Sequence, residues 1–218
     1  MSKEYLDAIQ KKDKYKKDNQ IYLKKRVLKT FKSLTKTFYN FEIQKGHCIL
    51  DLGSADGTFV NICKNDGIDA FGLDVNNLDF EKDKINFSNE KFDLVTAISL
   101  IEHIKNPSNL LNEVMRILKK GGMFILVTPN WKFNVKNFYD DPTHVRPYTK
   151  SSINFLLESF KFKEVIVVPW LVCKPSWMWR IPFKFLLARM LPFRGSKNRF
   201  IPEFLKGKSK VLLAICKK

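Results

Sequence analysis

Hydrophobic positions change their period near residue 47. Before it, Tyr5, Leu6, Ile9, Ile21, Tyr22, Val27, Leu28, Phe31, Leu34 and Phe38 recur at roughly helical intervals in a stretch without Gly or Pro. That spacing predicts one or two amphipathic helices within residues 1–40. After it, short apolar runs alternate with helical stretches: HCILDL, DAFGLDV, FDLVTAIS, GMFILVTP, EVIVVPW and KVLLAICK. Strands alternating with helices predict an α/β, doubly wound and mainly parallel sheet, with ligands at the carboxyl ends of its strands. One helix is legible in detail, in KNPSNLLNEVMRILKKGG. Asn106 suits the N-cap, Pro107 the first helical position and Gly121 the stop, while Leu110, Leu111, Val114, Ile117 and Leu118 form the core-facing stripe.

The turn after the first strand carries the chemistry. In ILDLGSADGTF, residues 49–59, an apolar run meets Asp51, then Gly53, Ser54, Ala55, Asp56 and Gly57 before the next helix begins. Glycines at such a turn accept positive φ and let a ligand approach bare backbone. Asp74 follows 21 residues after Gly53, at the end of the second strand, where a carboxylate can accept both hydroxyls of a ribose. The combination indicates a nucleoside-containing ligand. A dinucleotide fold would show G-x-G-x-x-G for a pyrophosphate, whereas this turn reads D-x-G-x-A-x-G. A carboxylate at Asp51 repels phosphate and suits an ammonium or a water bound to one.

Here the chain resembles the class I S-adenosylmethionine-dependent methyltransferases, whose first motif runs D-x-G-x-G-x-G, with Ala55 replacing the middle glycine. That departure is mild provided the position has an ordinary φ. KFDLVTAISLIEHIKNP and LKKGGMFILVTPN are similar to the fourth-strand and fifth-strand motifs of the type 11 and ubiquinone-biosynthesis-like members, so the likeness spans about residues 45–168. The resemblance implies a Rossmann-like sheet of seven strands, with the antiparallel last strand supplied by KVLLAICK. It implies S-adenosyl-L-methionine as cofactor and S-adenosyl-L-homocysteine as product. By the same resemblance Asp51, Gly53, Ser54 and Gly57 line the methionine part, Asp74 holds the ribose, and Ser99 and Leu100 approach the sulfonium. Val75 is expected against the adenine ring. Only 17 residues separate Asp74 from Phe92, so the sheet is expected to be shortened between strands two and four. The acid facing the adenine amino group is then Asp79 or Glu81.

Two histidines outside the predicted strands are candidates for proton transfer: His103 in IEHIKNP and His144 in DDPTHVRPYT. His103 also suits a structural role in its loop. His144 lies in a polar loop with Asp141, Arg146 and Tyr148, which are candidate acceptor contacts; these groups could serve as base, metal or anion partners. Equally, Asp141, Thr143 and His144 could fix the loop by local hydrogen bonds, with Thr149 or Ser151 capping the next helix.

Composition bounds the rest. The 218 residues are 44% hydrophobic, enough for one substantial core. Cysteines 48, 63, 173 and 216 make no C-x-x-C pair, and histidines 47, 103 and 144 show no metal-ligand spacing, so a reducing cytoplasmic setting with no resident metal is expected. No signal-peptide pattern opens the chain, and no window reaches about 18 uninterrupted apolar residues. The net charge of +17 is uneven: residues 1–40 hold 12 basic and 4 acidic side chains, residues 169–218 hold 12 and 1, and the middle is near neutral. The organisation expected is therefore a basic helical extension at 1–40 and a methyltransferase domain at 41–218, with a basic aromatic insertion at about 169–208. Residues 170–208 mix Trp170, Trp177 and Trp179 with Lys184 and Arg189, which suits a substrate cover lying on an anionic membrane, ahead of a dry lid or a nucleic-acid platform.

The expected activity is methylation of oxygen in a small or lipid-linked acceptor, of saccharide or isoprenoid type. An RNA methyltransferase using the basic flanks is the enzyme alternative, although N/D-P-P-(Y/F) after strand four is replaced by ISLIEH. A non-catalytic binding protein that keeps the cofactor fold is the other.

Overall fold

The computed structural model describes residues 17–76, 78–170, 193–194 and 206–218. The helical period before residue 40 becomes α1 (Lys17–Tyr39). Then follow β1 (Cys48–Leu52), α2 (Thr58–Asn65), β2 (Asp69–Leu73), β3 (Phe92–Ile98), α3 (Ser108–Ile117) and β4 (Leu118–Pro129). A short helix α4 (Trp131–Asn134) and a 3-10 segment (Val135–Asp140) lead to α5 (Lys150–Ser159) and β5 (Lys163–Pro169). Strands β6 (Phe193–Arg194) and β7 (Lys206–Lys208) pair with each other, and β8 (Val211–Lys217) completes the main sheet.

That sheet has the order β2-β1-β3-β4-β8-β5. Neighbours from β2 to β4 are parallel, and β8 runs antiparallel to both β4 and β5. Successive side chains of a strand face opposite sides, and here both sides are covered. Leu50, Val95 and Phe124 pack on one face with α3 and α5, whereas Ile49, Leu94 and Ile125 pack on the other with α1 and α2. This explains why the strands read as near-continuous apolar runs.

Among the described residues six strands form this sheet, where seven were expected. The reason lies in the short connection from β2 to β3, whose described backbone is satisfied by side chains of α3 instead of by a strand ladder. Arg116 donates to the carbonyls of Ile85 and Phe87 at 2.7 and 2.8 Å, and Glu113 accepts from the Ile85 N–H at 2.7 Å. Asn109 Nδ2 donates to the carbonyls of Phe80 and Asp83. Phe80 and Ile85 bury themselves in the same core.

Two helix-end expectations shift. Asn106 Oδ1 accepts from the Ser108 N–H at 3.1 Å, but Pro107 is the N-cap and the helix starts at Ser108. The chain leaves α3 directly into β4 at Leu118, so Gly121 does not stop the helix. It sits inside the strand with φ of 75°, beside Gly122, where a Cβ would lie 3.2 Å from the Phe92 carbonyl oxygen. The cap of α5 is Thr149, in a reciprocal capping box with Ser152.

Most of the basic aromatic insertion, including Trp177, Trp179, Lys184 and Arg189, lies outside the described residues. Trp170 is described and buried, its ring 6.0 Å from that of Phe31. It belongs to the core and offers no surface to a membrane. Among the described residues, no helix is long and apolar enough to cross a membrane.

Candidate active site

At the carboxyl end of β1 the chain turns sharply. Gly53 and Gly57 have φ of 76° and 71°, and the N–H groups of Gly53 and Ser54 both donate to the Leu73 carbonyl, at 2.8 and 3.1 Å. These bonds tie the turn to the end of β2, which places Asp74 beside it. A Cβ on Gly57 would meet nothing within 4 Å, so open space adjoins the turn there. Ala55 also has a positive φ, 48°. The replacement of the middle glycine is therefore not mild: an L-residue in this conformation costs about 1–2 kcal/mol.

Asp51 is buried, and its Oδ1 accepts the Thr96 hydroxyl at 2.7 Å. Burial pushes its pKa up to about 6, with Thr96 and Lys24 pulling the other way and Asp74 adding to the rise. Asp74 is half-buried and accepts the N–H of Val75 at 2.6 Å.

A cleft of about 670 Å³ opens past the strand ends, bounded by Val75, Leu78, Leu100, Ile104, Thr143 and Val145, with His103 on its wall. Asp79 and Glu81 line it too. Both oxygens of Glu81 accept backbone N–H groups, from Lys105 at 3.0 Å and Asn106 at 3.2 Å, which locks the connection after β2 onto the loop before α3. Asp79 is exposed and accepts the Glu81 N–H through Oδ1. Ser99, at the end of β3, has φ of 53° and is exposed, while the buried Leu100 lies under Gly53, where a Cβ would be 3.4 Å from it.

The two histidines meet although 40 residues separate them, their ring centroids 4.8 Å apart. His103 Nδ1 lies 3.2 Å from the Thr143 carbonyl oxygen and 2.8 Å from the Thr143 hydroxyl. A carbonyl only accepts, so Nδ1 carries the hydrogen and Nε2 presents a bare lone pair. The Thr143 hydroxyl in turn donates to Asp141 Oδ1 at 2.6 Å. Burial lowers the His103 pKa, and His144 lowers it further. Burial opposes the charge on Asp141, yet the Thr143 hydroxyl and N–H, with the two histidines, outweigh it and hold that carboxyl below its usual range.

His144 Nδ1 donates to the Phe138 carbonyl at 2.6 Å, and its ring packs on that of Phe138. It stands behind His103 and does not line the cleft. Arg146 and Tyr148 do not line it either: Arg146 donates to the Lys105 carbonyl at 3.0 Å, and Tyr148 is buried, its hydroxyl without a hydrogen-bond partner among the described residues and its pKa pushed up to about 12 by burial.

One residue that the sequence did not single out is Glu102. It is fully buried; its Oε2 accepts the Thr128 hydroxyl at 3.0 Å, while Oε1 has no well-placed hydrogen-bond partner among the described residues. Burial raises its pKa from 4.5 to about 7. Its backbone carbonyl accepts the N–H groups of Val145 and Arg146, which latches the histidine loop onto the segment after β3. The visible signal was an acid enclosed by apolar residues in LIEHI. Donor atoms of Glu102, His103 and His144 lie within 4.8 Å of one another, a spacing compatible with a metal ion.

The strand order, the antiparallel penultimate β8, and the glycine turn with Asp74 at the next strand end define a Rossmann-like fold built to hold a nucleoside. Residues 19–166 match the family described as "Methyltransferase domain", and the chain belongs to it. It is an S-adenosylmethionine-dependent methyltransferase of class I. No curated protein matches the chain. Among solved structures it is similar to a SAM-dependent methyltransferase from Archaeoglobus fulgidus, at 22% identity over 88% of this chain and 94% of that one, with a TM-score of 0.60. It is similar also to an S-adenosylmethionine-dependent methyltransferase from Mesorhizobium loti, at 16% identity over 82% and 94%, with a TM-score of 0.59. A third is the phosphoethanolamine N-methyltransferase 2 of Haemonchus contortus in complex with S-adenosyl-L-methionine, at 16% identity over 87% of this chain and 52% of that one, with a TM-score of 0.56. At these identities the likeness is one of fold.

The residues present fit the cofactor. Open space beside Gly57, an apolar wall of Val75 and Leu100, and a half-buried carboxylate at Asp74 match its amino-acid, adenine and ribose parts respectively.

Proposed function

We propose that the protein methylates a hydroxyl oxygen of a small or lipid-linked acceptor, of saccharide or isoprenoid type, with His103 as general base. The observation that carries this reading is the fixed tautomer of His103. Its Nδ1–H is held by Thr143, so the lone pair left for a proton is on Nε2, and burial keeps the ring neutral near pH 7.

When bound, the cofactor supplies a methyl group made electrophilic by a positively charged sulfur. Gly53, Ser54 and Gly57 would cradle its methionine part, with Asp51 beneath that turn. Asp74 would take the ribose hydroxyls, Val75 would pack on the adenine, Asp79 or Glu81 would face the adenine edge, and Ser99 with Leu100 would border the reacting centre. His103 Nε2 would take the proton that the acceptor hydroxyl gives up on methylation. Thr143 and Asp141 steady the resulting imidazolium, and His144 supports the ring from behind. Alignment of the acceptor and exclusion of water from the cleft supply much of the acceleration.

The test is a methyl-transfer screen of hydroxylated small molecules and lipid-linked saccharides, followed by His103→Ala with the best acceptor. A fall in kcat of about 10²–10⁴ with unchanged cofactor affinity supports the assignment. Transfer only to amines, or full activity without His103, overturns it.

A further inference from the structure

Three contacts fix how α1 runs along the sheet. At its C-terminal end the Tyr39 hydroxyl donates to the Ile215 carbonyl of β8 at 2.7 Å. Eight residues earlier the Phe31 ring lies 6.0 Å from that of Trp170, whose backbone N–H donates to the Val211 carbonyl at the start of β8. Phe31 also meets Phe59, in the first turn of α2, at 6.0 Å. Phe31 and Tyr39 stand about 12 Å apart along a helix and Val211 and Ile215 about 13 Å apart along a strand, so α1 lies alongside β8. Val211 pairs with Pro129 at the carboxyl end of β4, the end of the sheet past which the cleft opens. The N-terminal half of α1 therefore points beyond that end. Tyr22, nine residues before Phe31, stands about 14 Å further along the helix axis.

The outward face of that half is basic and partly apolar. Val27, Leu28 and Phe31 are buried against the sheet side, while Tyr22, Lys25, Arg26 and Lys29, spaced i, i+3, i+4 and i+7, share the other side. Tyr22 and its neighbour Leu23 are 59% and 44% exposed, and Lys25 and Lys29 are exposed with them. The Arg26 guanidinium covers the Tyr22 ring at 5.7 Å. Residues 19–31 contain no acid. Among the described residues Lys25 and Lys29 form no ion pair, whereas Lys32 and Lys36, nearer the C-terminal end, pair with Asp66 and Glu42. A helix face that only meets water gains by alternating its charges, and like charges four residues apart oppose the helix until an anion meets them. Leu23 beside Tyr22 adds exposed hydrocarbon. A surface that tracks nucleic-acid phosphates does not need it, whereas the interface of an anionic bilayer takes both the cations and the apolar pair.

We propose that this face of α1, through Tyr22, Leu23, Lys25, Arg26 and Lys29, docks on an anionic lipid bilayer and turns the cleft end of the sheet toward it. Docking gives the lipid-linked acceptor of the proposed function a short route to His103, and it rests on that reading for its purpose alone.

Cosedimentation of the full chain with phospholipid vesicles tests it, using phosphatidylcholine alone and phosphatidylcholine with about one-third phosphatidylglycerol, beside an oligouridylate RNA. The unsubstituted protein is expected to bind the anionic vesicles and to ignore the neutral ones. Lys25→Gln/Lys29→Gln should weaken anionic-vesicle binding about 30-fold, as loss of two lysines near a charged surface would. Leu23→Ser, which leaves the charge unchanged, should weaken it several-fold. Both variants should keep the affinity for S-adenosyl-L-homocysteine within about twofold, which separates a lost surface from a lost fold. Failure of the unsubstituted protein to bind anionic vesicles, equal binding to neutral ones, or undiminished binding by the double-lysine variant would overturn the proposal. So would tight binding of the RNA through Lys25 and Lys29 without vesicle binding, which would assign the face to nucleic acid. No acceptor is required, so a failed methyl-transfer screen would leave a positive vesicle result standing.

Discussion

The Nδ1 of His103 faces the Thr143 carbonyl oxygen at 3.2 Å, across 40 residues of sequence. That single relationship assigns the tautomer and turns a loop histidine into a candidate base. It also sets the direction of the pH dependence. Because the His103 pKa is lowered below 6.5, kcat/KM should be flat near neutrality and fall on the acid side, with a midpoint below 6.5, as the ring becomes protonated. A pH–rate profile with an acceptor of constant charge checks this; a midpoint well above 6.5 would contradict it.

Thr143→Val removes the hydroxyl but keeps the carbonyl that holds Nδ1–H. We expect a several-fold lower kcat with little change in KM, matching the loss of about one hydrogen bond. Rescue by Thr143→Ser, and an altered acid midpoint in Thr143→Val, would separate this positioning role from a general loss of stability.

Glu102 should make the fold sensitive to pH. Its folded-state pKa is about 7 against 4.5 in the open chain, so its contribution to stability is fully present below pH 4.5 and is lost as pH rises through 7. Glu102→Gln removes the buried charge. The variant should gain on the unsubstituted protein in melting temperature at pH 8 relative to pH 5, as thermal unfolding at the two values would show. An equal difference at both pH values would count against a titrating Glu102.

The glycine turn offers a paired test. Ala55→Gly relieves about 1–2 kcal/mol of left-handed strain and gives back about 0.4–1 kcal/mol through the unfolded chain, so urea unfolding should show a gain of about 0.5 kcal/mol. Gly57→Ala introduces the same strain at φ of 71°, and its methyl would enter the open space beside the turn. It should lose about 1 kcal/mol of stability and weaken cofactor binding as well.

Gly72→Ala probes the floor of that turn from β2. Its Cβ would lie 2.6 Å from Ser54 Oγ and 3.0 Å from Val60 Cγ2, so Ser54 must move. Cofactor affinity should fall although Gly72 lies outside the cleft; unchanged affinity would show that the turn tolerates the shift.

Much of this protein was legible in one dimension. Strand positions followed from apolar runs, because both faces of the sheet are covered and each strand buries alternate residues in different cores. The turn proposed to hold a nucleoside was legible in Asp51, Gly53, Gly57 and Asp74, because strand-end turns need particular residue types whatever lies around them. The tertiary structure decided what depends on distant partners. The missing strand is explained by Arg116 and Glu113 satisfying the backbone after β2, and the strained φ of Ala55 is imposed by a turn pinned to Leu73. The tautomer of His103 is dictated by Thr143, and the burial of Glu102 by the latch of Val145 and Arg146. Hydrogen bonds and burial between segments far apart in the chain leave no local period in the sequence, so residue pattern marks the candidate site while packing assigns the states of its groups.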